Sequence, residues 1–355
     1  MSAPTSPLRV VQWTTGNVGR ESVKALVANP RTELVGCYAY SPEKVGVDAG
    51  ELAGIDPVGV TATDDVAELL ALRPDCVLYN PMWHSTDELD RILAAGVNVV
   101  TTAAFINGRR LGAERDRLAA ACKAGGSTLM GTGVSPGFAE LVAITVAGIC
   151  SRIDKVVVAE QADTTFYDSP DTERPVGFGR PIDDPALRDM ACEGTAVFGE
   201  AVAMVADALG VELDEIVCEP EFARTTEDLE MASWTIPAGH VAGVAASWQG
   251  RAGGRTVVEL SVRWKKGATL EPDWQIDKDG WTIEVQGLPT VVTTLDFLPP
   301  PDFEAETLED FMVIGHIITA VPAVNAVPAA VAAAPGIATY ADLDFPMPRG
   351  WLRAP

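Results

Sequence analysis

Six residues near the amino terminus carry the clearest chemistry in the chain: Thr14, Thr15, Gly16, Asn17, Val18 and Gly19. They stand between a short apolar run, Leu8 to Trp13, and a segment of helical spacing, Arg20 to Ala28. Strand, tight turn and helix in that order form a phosphate-binding device. A glycine lets the backbone approach a pyrophosphate, another lets the helix pack on the strand, and the helix N-terminus offers unpaired N–H groups. Gly16 and Gly19 fill the second and third glycine positions of G-x-G-x-x-G, and Thr14 stands in place of the first. Glycine turns also join strands to helices without any nucleotide, so the position directly after the first strand carries the reading.

The end of the second strand usually separates the two nicotinamide cofactors, because a carboxylate there accepts from a free ribose 2′-hydroxyl and repels a 2′-phosphate. Here Tyr40 is followed by Ser41-Pro42-Glu43-Lys44. Ser41 and Lys44 can receive a phosphate, which favours NADP, with NAD as the other choice. Two more loops follow strands on the crevice side: Asn80 and Pro81 after Cys76 to Tyr79, and Thr101 and Thr102 after Val97 to Thr101. Both can line the nicotinamide end, and both read equally well as ordinary loops. Gly131 to Phe138 (GTGVSPGF) reads both as a domain hinge and as a loop whose N–H groups and Ser135 face the substrate beside the nicotinamide, with Ser135 placed to cap a following helix and Pro136 in its first turn.

These residues need a framework. The 355 residues are 47% hydrophobic and 21% charged, enough to bury a large core. Segments alternate strand and helix as far as Met130, including a possible strand from Pro57 to Thr61, which predicts a doubly wound parallel sheet of the Rossmann type. A long helix is expected from Val134 to Ile149 and another near Thr195 to Leu209. Beyond Lys155 the strands become β-branched and aromatic, and Val257 to Lys265 and Trp281 to Gln286 alternate as half-buried antiparallel strands do. The fold class expected is α/β, with a second α+β domain. The domains are a dinucleotide-binding unit over 1–134, a substrate and dimerisation unit over 135–304, and C-terminal helices over 305–355 packing back on the first.

Twenty-six basic residues against fifty acidic ones give a net charge of −24, which repels nucleic acid and anionic lipid. From Phe311 to Ala341 no charged residue occurs, but Pro322, Asn325, Pro328 and Pro335 interrupt the run; a buried helical pair starting near Glu306 is expected rather than a membrane span. The opening MSAPTSPLRV shows no secretory pattern, and six dispersed cysteines suit a reducing cytoplasm.

TTGNVG, GTGVSPGF and AVNAVPAAVAAAPGI, in that order, together resemble the dihydrodipicolinate-reductase-like oxidoreductases that include 2,4-diaminopentanoate dehydrogenase and the native amine dehydrogenases. The resemblance implies a Rossmann domain completed by C-terminal helices, an α+β substrate domain and a homodimer built through its sheet. It also implies NAD(P)H and interconversion of a small ketone or imine with an amine or related product. The His-His-x-x-Lys signature of the true reductases has no counterpart. Amine dehydrogenases resemble one another in a carboxylate just after the strand that ends here at Thr101-Thr102, where this sequence has Ala103-Ala104-Phe105.

A proton-transfer group must therefore stand elsewhere. The candidates are His240 on a Gly/Pro-bounded loop, Tyr167 in a polar segment and Glu160 on the strand before it. Each also has a structural reading, as do His84, His316 and Asn325. No metal is expected, since three separated histidines and isolated cysteines offer no ligand spacing. A catalytically inactive dinucleotide-binding protein is the alternative function.

Overall fold

The computed structural model describes residues 6–304 and 308–343. Its first six strands alternate with helices. They are β1 (Leu8–Trp13), α1 (Asn17–Ala28), β2 (Thr32–Tyr38), α2 (Ala49–Ala53), β3 (Ala62–Thr63), α3 (Val66–Ala71), β4 (Cys76–Tyr79), α4 (Thr86–Ala94), β5 (Asn98–Thr101), α5 (Ala113–Gly125) and β6 (Thr128–Gly131). The central strands are apolar on both faces because helices cover both: Val10, Val11 and Trp13 of β1 and all of β4 are fully buried. Two differences from expectation concern this region. Pro57 to Thr61 is not a strand, and pairing with β2 begins only at Ala62. Tyr40 lies beyond β2, which stops at Tyr38.

The segment after β6 departs further. Ser135 and Pro136 are extended and Gly137 has φ of 145°, so no helix starts at Val134, and neither Ser135 nor Pro136 stands at the N-terminal positions of the helix that follows, which begins at Ala139. Helix α6 runs only over Ala139–Ala147. Then come β7 (Arg152–Asp163), α7 (Pro170–Glu173), α8 (Leu187–Gly194), α9 (Ala196–Leu209), β8 (Glu215–Thr225), β9 (Leu229–Glu230), β10 (Thr235–Ile236), β11 (Val241–Ala252), β12 (Arg255–Lys265), β13 (Leu270–Glu271), β14 (Gly280–Leu288) and β15 (Val291–Leu295). The chain closes with α10 (Leu308–Ala332) and β16 (Gly336–Ala338). The expected helical pair is one helix: Pro322 and Pro328 lie inside it. Glu306 lies outside the described residues.

The chain divides into two compact units, one of residues 1–138 and 313–355, the other 139–312. In the first, seven strands run in the order β16-β6-β5-β4-β1-β2-β3, with parallel pairing throughout. The order reverses between β1 and β4, and the crevice for a ligand opens there, at the carboxyl ends of the strands. Helix α10 is long and apolar enough to cross a membrane by length and composition. In this unit it buries Ala320, Ala323, Val324, Ala326, Val327 and Ala330 completely.

The second unit is a mixed sheet, β13-β8-β11-β12-β7-β14-β15, in which only β7 and β12 are parallel neighbours. Period-2 alternation sorts its two faces. Val156, Val158, Val258, Leu260, Val262, Ile283 and Val285 are buried on the face that packs α6 and α9. The other face carries ion pairs and amides, among them Lys155 with Glu259 at 2.6 Å and Arg251 with Glu219 at 3.0 Å.

Candidate functional site

The cradle begins with an unusual corner. Thr14 has φ of 74°, a left-handed conformation rare for a β-branched residue. Its N–H donates to Tyr38 O at 3.0 Å and its carbonyl accepts from Gln12 Nε2 at 2.8 Å. Gly19 must be glycine, since a Cβ there would stand 2.3 Å from Thr14 O. Gly16 has nothing within 4 Å of the place a Cβ would occupy, which leaves open space in front of the turn. No side chain caps α1 and no acidic residue stands in its first turn. Thr15 Oγ1 is buried without a hydrogen-bond partner. An open N-terminus, a bare glycine and an orphaned buried hydroxyl fit a dinucleotide pyrophosphate.

Lys44 reaches this turn. A turn in which its N–H donates to Ser41 O at 2.9 Å folds the loop back, and Nζ donates to Thr15 O at 3.2 Å. Behind them, Trp13 stacks on Tyr38 at 4.1 Å and Tyr38 meets Tyr40 edge-on at 4.9 Å. The Tyr40 and Tyr79 hydroxyls each donate to Glu88 Oε2 at 2.6 Å. Burial, foremost, and then the hydrogen bond to Glu88 push both phenols well above their usual pKa. Glu88 thus brings a carboxylate beside Tyr40 from α4, which no reading of the β2 sequence reveals.

The other side of the switch point is laced to the first. Gln12 Nε2 also donates to Asn80 Oδ1 at 2.8 Å, and Asn80 Nδ2 donates to Thr102 Oγ1 at 2.8 Å. Thr101 is fully buried and its hydroxyl accepts the Ala103 N–H at 3.0 Å, shaping the loop from beneath. Pro81 is half-buried beside Asn80. Tyr340 and Thr132 share a buried hydrogen bond of 2.6 Å between their hydroxyls. His316 lies on α10 with a pKa lowered by burial, against an opposing pull from Glu21.

The proton-transfer candidates all belong to the second unit and lie toward one end of its sheet, where β7, β8 and β12 finish and β11 begins. Glu160 is held by two indoles: Trp264 Nε1 donates to Oε1 at 2.8 Å and Trp281 Nε1 to Oε2 at 3.1 Å. Its carboxylate ties β7 to both neighbours. The Tyr167 hydroxyl lies 3.3 Å from Thr172 Oγ1. The Tyr167 carbonyl accepts from Lys266 Nζ, a buried ammonium that also meets Thr164 O at 2.7 Å and Glu173 Oε1 at 2.6 Å. His240 bridges to Pro181, and its Nδ1 lies 3.2 Å from Ala238 O. A carbonyl can only accept, so in the tautomer that makes this bond Nδ1 is the donor and Nε2 the nitrogen left to exchange a proton. Lys266 and Glu173 were not legible as a pair in the sequence, because lysines at a strand end, here Lys265 and Lys266, usually face water.

A parallel sheet of this strand order with such a cradle at its first turn, and a separate mixed-sheet unit, define an NAD(P)-dependent oxidoreductase. Comparison with known proteins agrees. The family described as the 2,4-diaminopentanoate dehydrogenase C-terminal domain matches residues 138–354, and that described as dihydrodipicolinate reductase, N-terminus, matches residues 10–105. An amine dehydrogenase of Streptomyces virginiae is 32% identical over 312 residues, covering 81% of this chain and 85% of its own. The 2,4-diaminopentanoate dehydrogenase of Acetoanaerobium sticklandii is 25% identical over 269 residues, 73% of this chain and 70% of its own. The structure of an amine dehydrogenase from Mycobacterium smegmatis shares the fold, with a TM-score of 0.78 at 21% identity over 99% of this chain and 100% of that one. The chain belongs to the 2,4-diaminopentanoate dehydrogenase family, whose first domain is of the dihydrodipicolinate reductase type.

Proposed function

We propose that the protein interconverts a small ketone and the corresponding amine, with NADP as the preferred cofactor. The observation that carries this reading is the likeness to an amine dehydrogenase through most of both chains, together with the cradle at residues 14–19. When bound, the nicotinamide supplies or accepts the hydride.

The chain's own residues divide the remaining work. First-turn N–H groups of α1 hold the pyrophosphate, and Thr15 Oγ1 gains the partner it lacks. Lys44, lying on Thr15 O, supplies the positive charge that favours a 2′-phosphate. Asn80 and Thr102 border the nicotinamide end. His240 moves the proton through Nε2. Tyr167 and Glu160 shape the substrate end of the second unit, Glu160 through the two indoles it fixes.

Oxidation of NADPH in the presence of a panel of small ketones, with and without ammonium, tests the reading. The expected result is turnover that needs both ketone and ammonium, and His240→Asn lowering kcat by about 10²–10⁴-fold. Oxidation that ignores ammonium makes the protein a carbonyl reductase, and saturable NADPH binding without turnover on any substrate makes it a cofactor-binding protein; either overturns the proposal.

A further inference from the structure

We infer that Gln12 is a positioning residue for the dinucleotide: it clamps the left-handed Thr14 corner and, through Asn80, couples the cradle to the Thr102 loop. The inference rests on residues 14–19 being that cradle. Position 14 needs φ near 74°, which a glycine adopts at no steric cost and a threonine does not. What holds the threonine there is a pair of hydrogen bonds on its own peptide groups, and the one to its carbonyl comes from Gln12 Nε2 at 2.8 Å.

The placement is tight. Gln12 is fully buried on β1, and a Cβ on Gly19 would meet its Nε2 at 3.2 Å and Thr14 O at 2.3 Å. Corner, amide and helix therefore pack in one contact. The two hydrogens of Nε2 face their two nearest acceptors, Thr14 O and Asn80 Oδ1 at 2.8 Å, with Trp13 O farther off at 3.2 Å. Asn80 then uses its own nitrogen on Thr102 Oγ1. The relay spans the carboxyl ends of β1, β4 and β5, from the adenosine half of the crevice to the nicotinamide half. The far oxygen, Gln12 Oε1, is buried with no partner. A methionine of similar length would spare the strand that unpaired acceptor, so what the amide contributes lies in its nitrogen.

Calorimetric titration of the full-length protein with ADP and with NADPH separates the two halves of the relay. Gln12→Met is expected to weaken both ligands about tenfold, the effect of one lost hydrogen bond. Adding Thr14→Gly to Gln12→Met is expected to restore most of the loss, because glycine takes the corner unaided. Asn80→Ala, which leaves the β1 core intact and decides the matter should Gln12→Met fail to fold, is expected to weaken NADPH but not ADP. Gln12→Met binding ADP like the wild type, no rescue by Thr14→Gly, or Asn80→Ala weakening both ligands equally overturns the assignment. A wild type that binds neither ligand overturns the cradle along with it.

Discussion

At the scale of single residues, the loop after β2 turns on one ammonium group. Lys44 Nζ rests on the Thr15 carbonyl, so its charge lies at the turn instead of in solvent. Lys44→Ala removes that charge without touching the glycines. The expected outcome is a loss of about tenfold or more in NADPH affinity with NADH affinity changed much less, since charge-assisted bonds to phosphate are roughly twice as strong as neutral ones. Fluorescence titration with the two reduced cofactors checks it, and equal losses for both would assign Lys44 to the pyrophosphate. The sequence showed Lys44 but not the Glu88 carboxylate that meets Tyr40. The lysine is local to the end of β2, whereas the carboxylate comes from a helix 48 positions from Tyr40.

At the scale of elements, a single carboxylate organises the stretch between β2 and β3. Asp48 accepts the N–H groups of Val58 at 2.9 Å, Gly50 at 2.7 Å and Gly59 at 2.8 Å, capping α2 and pinning the loop that follows. These donors, Val58 foremost, hold its pKa below the ordinary 3.8. A pKa depressed on folding contributes stability that is complete above 3.8 and lost as pH falls through the folded value beneath it. Asp48→Ala is expected to cost about 1 kcal/mol at neutral pH, as for other N-caps. Denaturant melts of the two proteins are expected to converge as the pH is taken below 3.8. A gap that persists in acid would mean that the carboxylate's charge is not what matters.

Elements of this kind also show where sequence reading succeeds. Strands β1 and β4 fall where their apolar runs predict, because a parallel strand buried on both faces has one signature. Helix α6 starts five residues late because Gly137, not the chemistry of Ser135, ends the extended segment before it. Two prolines within α10 suggested a break, yet a helix buried along Ala320 to Ala330 keeps its course through packing that no local propensity records. For the candidate site, the glycine turn was legible from spacing alone. The Gln12, Asn80 and Thr102 relay was not, because its members lie on β1 and just beyond β4 and β5 and meet only once the sheet forms.

At the scale of the whole molecule, two units with separate cores should respond unequally to cofactor. A ligand held by the native state alone stabilises it by about 2.7 kcal/mol at a hundredfold excess over Kd. Hydrogen exchange in saturating NADPH is expected to slow in β1, α1, β4 and β5, and much less across β8, β11 and β12. Uniform protection of both sheets would show that the cradle is not the principal seat of binding.

The sheet of the first unit is finished by its last strand in sequence. Strand β16 pairs with β6, and Thr128 Oγ1 meets Ala334 O at 3.1 Å across 206 positions. During translation at about 5–20 residues per second, β6 waits about 10–40 s for that neighbour. Throughout that interval the nascent chain carries an open strand edge, a template for illicit pairing with other chains. The intervening unit is synthesised and can fold while the first remains incomplete, so a chain cut short just before Gly336 would carry the whole glycine turn of residues 14–19 beside an adhesive flank.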